Sequence, residues 1–287
     1  MREDSLEEFE AVFEHASIPV LDVKKVTFER ILVVLQGTAL DRSAARLATY
    51  LAGRFGGTAT ALYREESAWA AVESGGLTPG MARVEGPFQS TPELLGQISM
   101  ARPDLVLFPV NAGDDGGVMD EIIRFADPPV LLIRDEVAEP ERVFGRILHS
   151  LTGNFQQSEN FNCPFSLVKP SGEILLLHAI EQSEIEDVNE ALLSTSITSS
   201  EGAKLLDALS HHGERFLKGV VLSMREEPVG VSYRIVVGSV EEQVNQSLDG
   251  KSFTLLVVGH HEDGKSHVTA ADYQLIHSVT SVPILAL

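Results

Sequence analysis

Two glycine-containing loops, each following a short apolar run, hold the residues best suited to binding a phosphate group. The glycines of the first loop are Gly113, Gly116 and Gly117. The second loop contains Gly259, His260, Gly264, Lys265 and Ser266. Glycines let backbone N–H groups approach phosphate oxygens, and the N-terminus of a following helix favours negative charge. Both loops are therefore candidate nucleotide or anion sites, and the alternative for each is a tight turn that binds no ligand.

Other residue types that often do chemistry lack the spacing that the chemistry needs. The histidines outside the strands show no metal-binding motif such as HExxH, so we expect solvated imidazoles in loops. They are His211, His212, His260, His261 and His267. Cys163 is expected to be a buried, inert thiol, and Ser43 lacks the context of a serine nucleophile. No catalytic residue and no metal ligand is predicted.

The composition excludes several classes of function. The chain has 287 residues, 22 of them Lys or Arg and 42 Asp or Glu, so its formal net charge is −20. This balance argues against binding to nucleic acid or to an anionic membrane, because both need clustered basic residues. The single cysteine allows no disulfide within the chain. The acidic N-terminus differs from a signal peptide, and no apolar run could span a membrane. We therefore expect a cytoplasmic protein.

The chain contains two copies of one ordered pattern. Four apolar runs, rich in Val, Ile and Leu, occur in the same order in each half and are typical of buried parallel strands. In the first half they are ERILVVLQGT, GGTATALYREES, RPDLVLFPVNAGD and IIRFADPPVLLI. In the second they are GRILHSLTGN, SGEILLLHAIEQ, KSFTLLVVGHHED and LIHSVTSVPILAL. Helical patterns separate the runs, which predicts βαβ units and a parallel sheet in each copy.

The pattern divides the chain into three parts. Residues 1–28 precede the repeat and are predicted to be a helical extension that packs on the protein or docks a partner. The first domain spans 29–137 and the second 138–287, with an acidic, proline-containing boundary between them. The first copy is shortened after its second strand. In the second copy, Pro164 is expected to end or kink the first helix early.

These ordered segments resemble a tandem universal stress protein. The stretch ILVVLQGTALDRSAARLATYLA resembles the family's first strand, turn and helix. The segments DLVLFPV and FTLLVVGHH resemble its fourth strand, and ADPPVLLI and TSVPILAL resemble its last. The resemblance implies an α/β fold of two tandem Rossmann-like domains, similar to the adenine nucleotide alpha hydrolases. Each would have an open five-stranded parallel sheet with helices on both faces.

The resemblance also implies where a nucleotide would bind and shows departures from the family pattern. Members that bind ATP carry an Asp after the first strand and glycines spaced Gly-x2-Gly-x9-Gly-Ser/Thr after the fourth. The turn here keeps Gly37 and Thr38, but Gln36 replaces the Asp, and Thr152 followed by Gly153 stands there in the second copy. Neither glycine pattern is intact. A residual or altered site is better supported in the second copy, whose loop is longer.

Three functions remain to be weighed. The leading one is a non-enzymatic stress-response or regulatory binding protein in which nucleotide binding is lost or weakened. The alternative is an ATP-binding universal stress protein that uses its second domain, with Mg²⁺ and slow hydrolysis. An adenylate-forming or nucleotide α-hydrolase enzyme is disfavoured, because the SGGxDS-type loop after the first strand is missing. We expect the two copies to form an internal pseudo-dimer, with the last strands, Val130–Ile133 and Pro283–Leu287, as the candidate pairing edges. A protein partner, or a homodimer through the last strands, is also expected.

Overall fold

A computed structural model describes residues 21–77, 80–84, 87–111, 117–152, 155–180, 211, 213–250, 253–262 and 265–287. For 260–262 and 265–267 it describes the backbone. Its first half contains β1 (Arg30–Leu35), α1 (Asp41–Phe55), β2 (Thr58–Tyr63), α2 (Glu66–Ser74), β3 (Met81–Arg83), α3 (Thr91–Ala101), β4 (Leu105–Pro109), α4 (Gly117–Phe125) and β5 (Val130–Ile133). The short helix α5 (Pro140–Val143) leads into the second half.

The second half contains β6 (Arg146–Leu151), α6 (Glu159–Leu167), β7 (Glu173–Ile180), α7 (213–223), β8 (Gly230–Val237), α8 (Val240–Asp249), β9 (Leu255–Val258), β10 (His260–Glu262), β11 (Lys265–His267), α9 (Ala270–Ser278) and β12 (Ile284–Ala286). Every one of the eight apolar runs forms a strand, and the predicted α/β fold class is confirmed. After its second strand, where the first copy is shortened, the chain forms the nine-residue helix α2.

Ten strands form one continuous sheet in the order β3-β2-β1-β4-β5-β12-β9-β6-β7-β8. Within each half the pairs are parallel, whereas β5 and β12 pair antiparallel, with Val130 opposite Ala286 and Leu132 opposite Ile284. Both halves therefore have the same strand order when each is followed inward from its own outer edge. The two last strands thus pair with each other inside the chain, as the internal pseudo-dimer predicted, whereas a homodimer through these strands is wrong for this chain. Each last strand already has a partner on both sides within the chain.

Helices cover both faces of this sheet, and alternate strand residues point to the two layers. One core layer contains side chains of α1, α2, α5, α6 and α7, and the other contains those of α3, α4, α8 and α9. Helices in equivalent positions of the two halves thus lie on the same face. The two halves are related by an approximate two-fold axis normal to the sheet.

A local signal explains the end of helix α1. The helix ends at Gly56, which takes a left-handed conformation with φ +68° that favours glycine. Of the two effects predicted for Pro164, an early end of α6 is wrong, because the helix continues to Leu167. Tertiary contacts support this last turn where the proline removes one backbone donor.

The main such contact is made by Arg54, near the end of α1. Its guanidinium donates hydrogen bonds to three consecutive carbonyl groups at the end of α6 and lies over the Phe144 ring. The acceptors are Ser166 O (3.1 Å), Leu167 O (2.6 Å) and Val168 O (2.6 Å). A cation at a helix C-terminus is favourable, because the last carbonyl groups carry partial negative charge. Arg54 therefore ties the first half to the first helix of the second half.

Residues 21–29 have no regular secondary structure, so this part of the predicted helical extension is wrong. The segment follows α6 instead. Lys24 N donates to Asn162 Oδ1 (2.8 Å) and Val26 N to Ser166 Oγ (2.7 Å). The apolar stripe predicted for residues 6–16 lies outside the described residues. Within the described ranges, no helix is both long enough and apolar enough to cross a membrane.

His149, in the middle of β6, is the main polar group in this apolar core. It is fully buried between Leu176 and Val257 of the neighbouring strands, and its ring meets that of Phe161 edge-on at 5.7 Å. Neither ring nitrogen finds a hydrogen-bond partner among the described residues. Burial lowers the pKa of His149 to about 3. The folded protein therefore holds this imidazole neutral.

We expect His149 to make the fold sensitive to acid. As pH falls from about 6.5 to about 3, the unfolded chain binds a proton that the folded chain excludes. The free energy of unfolding then falls by up to about 1.4 kcal/mol per pH unit from this group. His149→Leu removes this contribution and is at least as stable at pH 7, because it also removes two unsatisfied nitrogens. Urea denaturation of both proteins between about pH 7 and pH 4 measures the difference. Parallel pH curves would contradict this account.

Candidate functional site

Ligands of open parallel sheets bind beyond the carboxyl ends of the strands, where the strand order reverses. Here the order reverses between β1 and β4 in the first half and between β6 and β9 in the second. The halves meet through an antiparallel pair, so the carboxyl ends of their strands point in opposite directions. The two places therefore lie on opposite sides of the sheet along the strand direction. They are the candidate sites, and the residues predicted for nucleotide binding surround them.

In the first half, the loop after β1 surrounds the carboxylate of Asp41. The backbone N–H groups of Gln36 (3.1 Å), Gly37 (2.8 Å) and Thr38 (3.2 Å) all donate to it. The Thr38 hydroxyl adds a fourth bond of 3.0 Å. Successive backbone N–H groups that converge in this way form an anion-binding concavity. In this protein the anion is a side chain of the chain itself.

Gln36 also closes the crevice between the two strands. Its side-chain amide donates to Pro109 O, at the end of β4, over 2.6 Å. The residue that replaces the family's Asp is therefore engaged with protein rather than directed to a base. Together with Asp41, which is 2% exposed, it occupies the polar groups that a ligand would use.

The electrostatics of Asp41 reflect two opposing effects. Burial raises the pKa of this carboxyl group above its ordinary value, and the hydrogen bonds from Gln36, Gly37 and Thr38 oppose the rise. A second anion brought to the same loop would meet both the carboxylate and the loss of its donors. The arrangement therefore works against a phosphate group at this position.

In the second half, the carboxylate of Asp272 accepts hydrogen bonds from residues near the end of β6. Asp272, in the first turn of α9, has no exposed surface. Its two oxygens accept the Thr152 hydroxyl at 2.8 Å each, and one of them also accepts Thr269 Oγ1 (2.8 Å) and Thr269 N (2.9 Å). Asp272 N donates back to Thr269 Oγ1 (3.1 Å), which completes a capping box. The N-terminus of α9 is thus satisfied internally and linked to β6.

The predicted phosphate loop of the second half is an antiparallel hairpin. Strands β10 and β11 pair His260 with His267 and Glu262 with Lys265. The hairpin begins after Gly259, whose φ of +84° favours glycine. Ser266 lies within β11, so the backbone that is described here forms a hairpin instead of an open glycine loop. The anion site predicted for this segment stays a prediction.

The structure places the other predicted residues as follows. Gly117 begins α4, in the first half. Four of the predicted glycines lie outside the described residues: Gly113, Gly116, Gly153 and Gly264. Asp41 and Asp272 were missed as site residues. The spacing of Thr269 and Asp272 is a capping-box signal that could have identified the second of them.

The remaining candidates are structural in the part of the chain that is described. Cys163 is buried as expected, and burial raises the pKa of its thiol. Trp69 is buried as well. His178 Nδ1 lies 3.1 Å from Leu151 O and its ring packs against Phe155. No group of His, Cys, Asp and Glu side chains suited to a metal occurs among the described residues.

These contacts test whether ATP with Mg²⁺ fits. At both switch points a buried carboxylate accepts hydrogen bonds from the adjoining residues, and the added charge is negative. A phosphate needs free donors and positive charge. The contacts of Asp41 and Asp272 therefore work against a phosphate group at these two positions.

Comparison with known proteins identifies the fold. No protein-family model matches the sequence, and a search of curated proteins finds no match. Among solved structures, a universal stress protein from Archaeoglobus fulgidus DSM 4304 covers 88% of this chain and 97% of its own, with a TM-score of 0.56 and 10% identity. The hypothetical protein MJ0577 covers 50% of this chain and 94% of its own, with a TM-score of 0.39 and 16% identity. At this identity, the first likeness shows that the fold is that of a universal stress protein.

The two carboxylates should respond differently to conversion into amides. Asp41→Asn replaces one acceptor oxygen with an NH2 group. Backbone N–H groups can only donate, so at least one of them then faces another donor, and the free energy of unfolding should fall by about 2–3 kcal/mol. Asp272→Asn meets mainly hydroxyl groups, which can rotate and accept, so the fall should be about 1 kcal/mol or less. Urea denaturation at pH 7 measures both. A larger loss for Asp272→Asn would show that the contacts of Asp41 are wrongly assigned.

Proposed function

We propose that this chain is a universal stress-type protein that binds a partner protein and has lost nucleotide binding. The single observation that carries the proposal is the occupation of both switch points by Asp41 and Asp272. Where a nucleotide-binding relative would present backbone and side-chain donors to phosphates, this chain presents them to its own carboxylates.

The charge of the molecule supports the same reading. A protein with a formal net charge of −20 repels a polyphosphate at long range unless basic groups are focused at its site. Buried carboxylates at both sites act in the same direction at short range. The proposal assigns no catalytic step to any residue. The fold then serves as a cytoplasmic scaffold to whose surface another protein binds.

The direct test is to look for nucleotide. Purified protein is denatured and the released small molecules are identified by mass spectrometry; the native protein is then titrated with ATP and Mg²⁺ in a calorimeter. We expect no adenine nucleotide in the released fraction and no binding heat. Bound nucleotide, or a dissociation constant of about 1–100 μM, would overturn the proposal and favour the ATP-binding alternative.

A variant makes the negative result informative. Asp41→Ala frees the N–H groups of Gln36, Gly37 and Thr38, so added inorganic phosphate should raise its melting temperature by occupying them. Wild-type protein, with the same loop filled, should show no such rise. Glu121→Ala, at an exposed position of α4, serves as the control for removing one negative charge. Equal responses of all three proteins would show that Asp41 does not fill an anion-binding loop.

A further inference from the structure

Strand β8 is a long open edge of the sheet. All eight of its residues pair with β7, from Gly230 opposite Glu173 to Val237 opposite Ile180. On its other side it has no strand partner among the described residues. The opposite edge of the sheet, β3, is only three residues long. The two ends of an otherwise symmetric sheet thus differ.

Strand β8 also lacks the features that usually protect an edge. It contains no proline and no acidic residue, its register with β7 is unbroken, and its one charge is Arg234. Four large apolar side chains are exposed in the described part of the chain, and Val237 of β8 (63% exposed) and Leu222 of α7 are two of them. A long edge with unbroken register is a template for pairing with another strand.

The backbone groups that face outward follow from the ladder. Gly230 N donates to Gly172 O (2.9 Å) and Gly238 N to Ile180 O (3.0 Å), so even-numbered residues bond to β7. In a parallel pair, successive residues direct their N–H and C=O groups to opposite sides. The free groups of the edge therefore belong to Val231, Tyr233, Ile235 and Val237, and the first three of these also pack against the core.

We propose that a second copy of this chain adds to this edge, with the two β8 strands antiparallel about a two-fold axis at Tyr233. About such an axis, side chains that lie opposite each other project from the same face of the sheet. Odd-numbered residues of one copy therefore lie opposite odd-numbered residues of the other, and even-numbered residues lie opposite even-numbered ones. Val231 then lies opposite the partner's Ile235, and Ser232 lies opposite the partner's Arg234. The inference does not depend on the proposed function.

Two arguments select this register and this occupant. Centring the pair on Arg234 would place two guanidinium groups opposite each other, which is unfavourable. Centring it on Ser232 would shorten the overlap from seven strand residues to five, counted over Gly230–Val237. The register at Tyr233 extends one apolar row across both copies and opposes no like charges. A strand that complements itself so fully fits a second copy better than an unrelated peptide.

The overall charge opposes this association and gives it a signature. Two copies with a formal net charge of −20 each repel one another, and salt screens that repulsion over a Debye length of about 10 Å at 0.1 M. The dimer should therefore be tighter at about 0.5 M salt than at about 0.05 M. An interface held mainly by ion pairs would show the opposite dependence.

Paired substitutions at exposed Ser232 test the register. Ser232→Glu places a carboxylate opposite the partner's Arg234 at two symmetric positions, so the dimer dissociation constant should fall about three- to tenfold. Ser232→Arg opposes like charges and should raise it by a similar factor. Net charge alone predicts the reverse order, because the first variant makes each copy more acidic. Sedimentation equilibrium from about 1 μM to about 500 μM gives all three constants.

Hydrogen exchange at the edge completes the test. Peptides covering 230–237 should exchange more slowly at high protein concentration, because pairing protects the amides of Val231, Tyr233 and Ile235. The proposal is overturned by a chain that stays monomeric over the whole range. It is also overturned by a dimer whose affinity does not follow the order Ser232→Glu, wild type, Ser232→Arg, or whose edge exchanges at an unchanged rate.

Discussion

The antiparallel pairing of β5 with β12 is the contact on which the rest of the structure depends. Each of these strands is apolar, ends its own half of the chain and would be an exposed edge without the other. Their pairing joins two parallel sheets into one and sets the approximate two-fold relation between the halves. It also brings α1 of the first half next to α6 of the second, where Arg54 binds three backbone carbonyl groups.

The same pairing separates the two candidate sites. Because the strands of the two halves run in opposite directions, their carboxyl ends lie on opposite sides of the molecule along the strand direction. Each site is closed by a buried carboxylate that accepts hydrogen bonds from the adjoining loop or helix N-terminus. Asp41 takes backbone donors, whereas Asp272 takes mainly hydroxyl groups. Buried carboxylates with different sets of hydrogen-bond donors thus occupy equivalent positions in the two halves.

The polar groups in and around the core have different physical roles. His149 has no partner among the described residues and is tolerated because a neutral imidazole costs less to bury than a charged one. Arg54 and Ser43 instead compensate backbone groups at the junction, Ser43 by accepting Val137 N over 3.0 Å. The junction is therefore held by side-chain bonds to backbone as well as by apolar packing.

Sequence reasoning located the elements better than the site. Apolar runs of Val, Ile and Leu identify buried strands, and Gly56 identifies the end of α1, because these signals are local. The continuation of α6 past Pro164 was not predictable, since Arg54 supports its last turn from more than a hundred residues away. The hydrogen bonds of Gln36 and Thr152 were equally unpredictable from the sequence. Their partners, Pro109 and Asp272, approach only when the sheet forms.

The sequence by itself thus determined the fold class, the order of strands and helices and the pairing tendency of the two apolar last strands. All of these follow from residue type and short-range periodicity. Only the tertiary structure decided that β8 has no outer strand partner among the described residues and that Asp41 and Asp272 occupy the switch points. Each of these depends on which groups meet across the sheet, and hydrogen bonds between distant residues leave no periodic trace in the chain.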